Sequence, residues 1–427
     1  MINNYIKNCL TTASPSVISI FFSIISIPIY LFYNGLIDYG NYIFFHIVSS
    51  AGLLLNFGIG KAIVIEYKKN FQNNFIIKSG ITFTLINIFF LFIICLLIYQ
   101  FNFFKFNELL FYFFGIVCTV IYFTIEGIFQ AKKKFFLLSF FNLCFFSVSS
   151  FIPSISLLLI NNDYYQLFFI SLAIKIFSIF FFSLFIFNKI KVSSNKNIYK
   201  KSKLIKLGFK LTSSNIVNYI YDYSDKYFIK IFLGPASVSL YSIPQQIMGK
   251  ITTISKAMSA VLLPDMSEYK SNNLFNYSLN FFIFFISPII IFFFDYYDWA
   301  IKLWVNNNST DEMTELTKIF SISFLFASIS HLLVTSLEAK NNINKNLKIE
   351  FIFFPFFIII PFVMFTTLDN KNLLLISVAF LILVKEFIFL VIRFLIIKKE
   401  VYNFYFKFIC VVLIFLYTLF LLKKNFS

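Results

Sequence analysis

Charged side chains inside two successive apolar segments are the part of this sequence best able to do chemistry. The two segments are residues 207–232 and 238–263. Within them lie Asp222, Asp225, Lys226, Lys230, Lys250 and Lys256. A charge at membrane depth is costly, and it commonly lies where an ion or a polar substrate passes. The pattern therefore predicts a polar site built from these two segments.

The composition places the whole chain in a membrane. The chain has 427 residues, of which 59% are hydrophobic and 13% are charged, and its mean hydropathy is +0.83. A soluble domain has about a quarter of its residues charged, so we predict an integral membrane protein. The net charge of +17 is interpreted as membrane topology, with no nucleic acid as a partner. The five cysteines show no CxxC spacing, so neither a disulfide framework nor a metal site is predicted.

Apolar stretches of about 20 residues, long enough to cross the bilayer core, recur along the chain. Backbone groups in lipid must be satisfied within the segment, which requires helices. The predicted spans are residues 13–33, 42–66, 79–99, 108–130, 135–160, 166–187, 207–232, 238–263, 277–294, 316–337, 349–367, 373–397 and 404–422. We therefore predict an all-α membrane protein with twelve or thirteen spans, and at most fourteen.

Lysine-rich and lysine-poor loops alternate along the chain, and this alternation indicates the orientation of the protein in the membrane. Loops on one side carry most of them, for example Lys132, Lys133 and Lys134, whereas the other side carries acidic residues such as Asp163 and Asp298. The lysine-rich side is cytoplasmic, so the N-terminus is predicted to be cytoplasmic. The last apolar segment would place its terminal lysines outside, which leaves the exact count open.

The densest polar stretch follows the sixth span and divides the chain. It is interpreted as a basic cytoplasmic linker. The predicted parts are a six-helix lobe at residues 1–188, the linker at 189–206, a second six-helix lobe at 207–400 and an extra apolar segment at 401–427. Short identical sequences end equivalent spans of the two halves, such as Glu66-Tyr67 and Glu268-Tyr269. They indicate two pseudo-symmetric repeats, an architecture found in transporters.

Three motifs in fixed order carry a resemblance to a known family. They are LNFGIGKAIVIEY at residues 55–67, YDYSDKYFIKIFLGPASVSLYSIPQQI at 221–247 and VLLPDMSEY at 261–269. The chain resembles Wzx-type flippases for O-antigen and other polysaccharides, within the MATE-like (multidrug/oligosaccharidyl-lipid/polysaccharide) exporter superfamily, over about residues 7–399. The family often has an arginine near the end of the second helix, where this chain offers Lys61 and Glu66.

This resemblance implies a function as well as a fold. A flippase of this type moves an undecaprenyl-pyrophosphate-linked oligosaccharide, an O-antigen or capsule repeat unit, from the cytoplasmic to the periplasmic leaflet. It works by alternating access in the bacterial inner membrane and is not an enzyme. We predict no bound cofactor and coupling to an H⁺ or Na⁺ gradient. A monomer is expected because two lobes already make a complete cavity, and the polymerase and chain-length regulator of the same pathway are the expected protein partners.

An anionic headgroup needs cations in the cavity between the lobes. We predict that Lys61, Lys226 and Lys250 line it, because lysine is an adequate point-charge partner for phosphate, and we add Lys175, which lies mid-span in the sixth helix. The alternative for Lys61 is that its side chain extends to the membrane interface. The buried histidines, His46 and His331, are expected to be hydrogen-bonded core residues.

The acidic residues allow two interpretations. Asp222 and Lys226 are four residues apart, so they share a helix face and can form an ion pair. The alternative is that Asp222 and Asp225 form a proton or Na⁺ site that couples transport. Glu126 lies about one turn from the cytoplasmic end of the fourth span, which fits exposure at the interface as well as a role in coupling.

A last group of charges lies in the twelfth span. Lys385, Glu386 and Arg393 are predicted to form one local cluster, because Glu386 and Arg393 are two turns apart on one face.

Two other classes of protein compete with the flippase. A membrane-embedded polysaccharide polymerase would need a large outer loop with catalytic Arg, Asp or His, but the longest outer loop, residues 296–315, has no Arg or His. The sequence also lacks DxD, HExxH and GxSxG motifs. A multidrug exporter of the same fold would need an acidic cavity, whereas the membrane-depth charges here are mostly basic.

Overall fold

The computed structural model describes residues 2–69, 74–100, 106–159, 163–187, 201–269, 272–292, 294–305, 310–340, 342–368, 370–398 and 401–426. Nearly all of these residues are helical, and no strand occurs among them. The all-α class predicted from the sequence is therefore confirmed for the described residues.

Seventeen α-helices follow one another in the described chain. They are α1 (Ile2–Ser49), α2 (Gly52–Leu55), α3 (Ile59–Lys69), α4 (Asn74–Gln100), α5 (Phe106–Ala131), α6 (Phe135–Asn142), α7 (Ser149–Leu159), α8 (Tyr164–Phe187), α9 (Lys201–Leu233), α10 (Pro235–Tyr269), α11 (Asn272–Phe281), α12 (Ser287–Phe292), α13 (Tyr297–Val305), α14 (Asp311–Ala339), α15 (Ile343–Thr367), α16 (Lys371–Ile396) and α17 (Phe404–Phe426). A π-helical turn joins α6 to α7 and another joins α11 to α12. Gly35, with φ of 69° and ψ of −176°, breaks α1 into two helical parts.

Every predicted span falls on one or more of these helices. Within the described ranges, nine helical segments are long and apolar enough to cross a membrane, which makes this a multi-pass membrane protein. The first, Val17–Leu55, covers parts of the first two predicted spans. α9 and α10 are less apolar than these nine segments, because they carry the charged residues Asp222, Asp225, Lys226, Lys230, Lys250 and Lys256. The total of twelve or more spans stays a prediction.

The chain forms two compact units. The N-terminal unit is Val17–Tyr223, and the C-terminal unit is Met1–Ser16 together with Ser224–Ser427. Most of the predicted basic linker lies outside the described residues, and its residues 201–206 form the start of α9. The two pseudo-symmetric six-helix lobes with bounds at 188 and 207 stay a prediction.

In the N-terminal unit the helix of the second predicted span is interrupted. α2 ends at Leu55 and α3 begins at Ile59, and between them Phe57 and Gly58 have φ values of 50° and 59°. Backbone in this left-handed region leaves helical hydrogen bonds unmade. Membrane proteins tolerate such a break only where other protein groups satisfy the backbone.

Asn56 supplies those groups. Its Nδ2 donates to the carbonyl oxygen of Val120 and to Oγ1 of Thr124, both at 2.9 Å, and its Oδ1 accepts from the backbone N–H of Gly60 at 3.2 Å. The side chain thus caps the new helix and ties it to α5. Asn56 is itself buried, so these bonds form where they are shielded from competing water.

Glycines let the helices around this break approach very closely. A Cβ on Gly60 would overlap the carbonyl oxygen of Phe123, and a Cβ on Gly127 would overlap the backbone of Gly60. A Cβ on Gly58 would lie 2.7 Å from the carbonyl oxygen of Gly208. Small residues serve this purpose at helix crossings in membranes. The Gly-x-Gly segment therefore packs the second span against α5 and α9.

In the C-terminal unit α10 packs along α14, and both helices carry fully buried hydroxyl residues. Ser239 on α10 and Thr317 and Ser321 on α14 are fully buried. Aromatic contacts complete the interface, with the rings of Tyr241 and Phe320 at 5.1 Å between centroids. Close packing of this kind replaces the hydrophobic driving force that helices lack in lipid.

Candidate functional site

Asp225 and Lys226 on α9 form a buried ion pair in the C-terminal unit. Asp225 is 4% exposed and Lys226 is 7% exposed. Lys226 Nζ lies 3.9 Å from Asp225 Oδ1, and the backbone N–H of Lys226 donates to the same oxygen at 2.8 Å. The other carboxylate oxygen, Oδ2, is buried without a hydrogen-bond partner in the described part of the chain. Because such an oxygen is costly to leave unsatisfied, it is a ready acceptor for a proton or a cation.

Two side-chain oxygens of α10, Tyr241 Oη and Ser242 Oγ, are also buried without a hydrogen-bond partner among the described residues. The Tyr241 hydroxyl lies near Asp225 but without the geometry of a hydrogen bond. Sequence reasoning did not predict either residue as part of a site. Tyr241 was visible as the tyrosine that opens the helix after Leu233-Gly234 in the family-like motif.

The other predicted residues of these two helices differ in exposure. Lys250 on α10 is half-buried, whereas Lys256 on the same helix is exposed. Asp222 is exposed and lies on the part of α9 that belongs to the N-terminal unit. Its predicted pairing with Lys226 stays a prediction.

Lys61 and Glu126 lie in the N-terminal unit, and both are half-exposed. Glu126 Oε1 accepts a hydrogen bond from Gln130 Nε2 one turn further along α5, at 3.3 Å. Glu66, five residues beyond Lys61, is buried, and its Oε2 lies 3.9 Å from Nζ of the exposed Lys203.

Lys175 is buried in the middle of α8, with 5% of its surface exposed. Its Nζ lies 3.2 Å from Nδ1 of His46 and 5.6 Å from the centre of the Phe145 ring. The expected hydrogen-bonding partners of His46 and His331 are present, with His331 Nδ1 3.0 Å from Ser259 Oγ. Both histidines are half-buried and do not belong to the fully buried core. A lysine as the partner of His46 had no signal in the sequence, since the two residues are 129 positions apart.

No group of three or more His, Cys, Asp and Glu side chains able to hold a metal ion occurs in the described ranges. The predicted candidates are thus lysines and carboxylates held in two separate units. Their roles as substrate-binding or ion-coupling residues stay predictions.

A sequence-family comparison identifies the chain. Residues 37–309 match the model of the family described as polysaccharide biosynthesis protein. This chain belongs to that family. The match includes the Gly-x-Gly break, Lys175 and the whole of α9 and α10, so the candidate residues all lie within the family's region.

Individual relatives agree with this assignment. A putative O-antigen transporter of Shigella flexneri is 26% identical over 172 residues, which are 39% of this chain and 41% of that protein. A variant of the Vibrio cholerae MATE transporter VcmN has a TM-score of 0.65 and 11% identity, with 95% of this chain and 99% of that chain covered. The lipid II flippase MurJ in an inward closed conformation has a TM-score of 0.64 and 16% identity, with 98% and 99% covered.

These comparisons confirm the MATE-like fold and the resemblance to Wzx-type flippases. The relatives are described as transporters and a flippase, not as enzymes, in line with the prediction for this member of the polysaccharide biosynthesis family. The match spans less than half of the Shigella protein's length, and the solved structures are similar in fold.

The charge cluster predicted in the twelfth span divides in two. Lys385 Nζ pairs with Glu386 Oε1 at 3.0 Å. Arg393 instead reaches across to α15, where Nη2 lies 2.9 Å from Glu350 Oε1, and to α14, where Nη1 donates to Ser330 Oγ at 2.6 Å. The prediction of one local cluster is wrong, because the long guanidinium side chain finds a buried carboxylate on another helix.

Proposed function

We propose that this protein is a flippase for an undecaprenyl-pyrophosphate-linked oligosaccharide, which it moves from the cytoplasmic to the outer leaflet by alternating access. The observation that carries the proposal is the burial of lysines at membrane depth in a member of a polysaccharide biosynthesis family. Lys175 and Lys226 are both buried within helices of spanning length. A protein that moves neutral lipid has no use for such costly charges.

The substrate chemistry explains why lysines are useful here. The lipid tail can stay in the bilayer, whereas the pyrophosphate and the glycan need a wet, cationic path. Lys61, Lys226, Lys250 and Lys175 are the proposed cations. The monomeric state, the cytoplasmic N-terminus and cooperation with a polymerase and chain-length regulator belong to the same proposal.

A deletion and rescue experiment tests this function. Without the gene, full-length lipid-linked repeat units should accumulate on the cytoplasmic face while surface glycan is lost. We expect wild type and Lys256→Ala to rescue. Lys250→Ala should reduce export about tenfold or more, because loss of one charge-assisted hydrogen bond to phosphate costs about 1.5–3 kcal/mol. Lys256 is the matched control, since it is an exposed lysine on the same helix.

Other outcomes point to other functions. Single repeat units on the outer face without polymer would indicate a polymerase. Unchanged surface glycan in a strain with no second flippase would exclude polysaccharide transport and favour multidrug export. Equal rescue by Lys250→Ala and Lys256→Ala, at equal protein level, would remove Lys250 from the substrate path.

Ion coupling is proposed for Asp225, with Asp222 and Glu126 as the alternative carboxylates. Asp225 is the best supported of the three because it is buried and one of its oxygens has no hydrogen-bond partner among the described residues. Protonation or Na⁺ binding at that oxygen would neutralise the carboxylate. Lys226 would then lose the negative charge of Asp225, which favours its interaction with an anionic substrate.

We expect Asp225→Asn to abolish the response of transport to an imposed gradient while slow downhill flipping remains. The measurement is flipping of a labelled lipid-linked oligosaccharide in proteoliposomes, with an H⁺ gradient in one arm and a Na⁺ gradient in the other. Asp222→Asn and Glu126→Gln put the alternative carboxylates to the same test. A full gradient response in Asp225→Asn would assign coupling elsewhere.

A further inference from the structure

Three buried side chains and the half-buried His46 form a cluster in the N-terminal unit that the proposed coupling site does not use. Tyr42 and His46 lie one turn apart on the second part of α1, and Ser171 and Lys175 lie one turn apart on α8. Residues four apart share a helix face, so the two pairs form two successive contacts between these helices. We call the four residues the Lys175 cluster.

The contacts within the cluster run between the two helices. The rings of Tyr42 and His46 are 4.6 Å apart between centroids, and Lys175 Nζ lies 3.2 Å from His46 Nδ1. The Tyr42 hydroxyl lies near Ser171, although without the geometry of a hydrogen bond. The four groups therefore occupy one small, buried region.

Lys175 brings a positive charge into this region, and none of its contacts among the described residues is a carboxylate. Its contacts in the described part of the chain are His46, the Phe145 ring and the nearby Cys118 thiol. A buried charge without a partner of opposite sign is strongly unfavourable. The cluster therefore needs an anion to be electrostatically balanced.

The hydrogen-bond donors of the cluster are also unused. An ammonium can only donate, so His46 Nδ1 must accept, and a neutral imidazole then carries its proton on Nε2. That Nε2 is buried and has no hydrogen-bond partner among the described residues, and the same is true of Tyr42 Oη and Ser171 Oγ. Each unsatisfied buried donor is costly. Three potential donors thus lie in the same buried region as one positive charge.

We propose that the Lys175 cluster binds one anionic hydrogen-bond acceptor inside the membrane. The acceptor is either a small inorganic anion such as chloride or one oxygen of the diphosphate on the transported headgroup, and the second source rests on the proposed function. Lys175 supplies the charge, and the imidazole N–H and the two hydroxyls supply hydrogen bonds. The deep burial of Lys175 and Ser171 limits the bound group to a single atom or a single oxygen.

Thermal unfolding of the purified full chain in detergent tests this site. The protein is melted in potassium gluconate as the reference salt, and then at equal ionic strength with potassium chloride or with inorganic pyrophosphate. A ligand that binds the folded state stabilises it by mass action. We expect chloride or pyrophosphate to raise the Tm of wild type by about 3 °C or more.

Two variants and a control make the assignment specific. Lys175→Met should lose the anion-dependent rise and melt above wild type in gluconate, because it removes an unpaired buried charge. Tyr42→Phe should keep the fold and weaken the apparent anion affinity about tenfold, the effect of one lost hydrogen bond to a charged group. Lys206→Met, which removes an exposed lysine of the same unit, should keep the full rise.

The outcomes separate the source of the anion and the fate of the proposal. A rise with chloride alone indicates a free inorganic anion, and a rise with pyrophosphate alone indicates the headgroup. A wild-type Tm equal in all salts, or a rise that survives Lys175→Met, overturns the proposal. Because no transport is measured, an anion-dependent rise in a protein that fails the rescue experiment would refute the flippase and leave the site standing.

Discussion

Replacing Glu350 by alanine is expected to destabilise the C-terminal unit by about 3–5 kcal/mol. Glu350 has no exposed surface, and its Oε1 accepts hydrogen bonds from Arg393 Nη2 at 2.9 Å and from Asn346 Nδ2 at 2.6 Å. Arg393 Nε also donates to Asn346 Oδ1 at 2.8 Å. Without the carboxylate, a buried guanidinium would lose its counter-charge. Denaturant-induced unfolding in detergent measures the loss.

The exposed ion pair on α13 provides the matched control. Lys302 Nζ lies 3.2 Å from Asp298 Oδ2, and about half of each side chain is exposed. Exposed ion pairs contribute little to stability, so Lys302→Met should leave the free energy of unfolding unchanged. The double variant Glu350→Met with Arg393→Met should cost less than the sum of the two single changes, because both charges leave together. If Glu350→Ala and Lys302→Met had the same free energy of unfolding, the prediction would be contradicted.

Gly60→Ala is expected to prevent normal packing of α3 on α5, with a stability loss of about 3 kcal/mol or more. The new methyl group would overlap the carbonyl oxygen of Phe123. Backbone cannot rotate away as a side chain can, so the two helices must separate and the Asn56 hydrogen bonds to α5 must stretch. We expect low yield of folded protein and a lowered Tm, read by size-exclusion chromatography and thermal unfolding.

Gly249→Ala is the control for this change. A Cβ at Gly249 would meet the Phe324 ring at 3.7 Å, an ordinary contact. Since alanine favours helix over glycine by about 1 kcal/mol, this variant should be as stable as wild type or more stable. If Gly60→Ala and Gly249→Ala melt alike, the close approach of α3 and α5 does not limit stability.

Much of the helix layout was predictable because hydropathy is a local property. The third span was predicted at residues 79–99, and α4 covers it as Asn74–Gln100. The sixth was predicted at residues 166–187, and α8 is Tyr164–Phe187. About 20 apolar residues suffice to cross the bilayer, so each such helix could be located without knowledge of its neighbours.

The break in the second span could be anticipated only in part. The Gly-x-Gly segment was recognised as similar to a family motif, but nothing local to it revealed why the glycines are needed. That reason lies on α5 and α9, where the backbones at Phe123, Gly127 and Gly208 leave no room for a Cβ. Close backbone approach depends on which helices cross, and this information is spread over the chain.

Charge partners were the least predictable feature. Lys385, Glu386 and Arg393 share one helix, yet Arg393 pairs with Glu350 on α15. Lys175 was recognised as a mid-span charge, yet its contact with His46 and the unused donors of Tyr42 and Ser171 became visible only in the folded unit.

The sequence by itself determined that this is a helical membrane protein, where most of its helices lie and which residues place charge in its apolar segments. Only the tertiary structure decided which of those charges are balanced. The length of an apolar segment and the lysines beside it determine its place in the membrane without reference to other segments. A buried ion pair instead requires two side chains that the fold brings together from distant positions in the sequence.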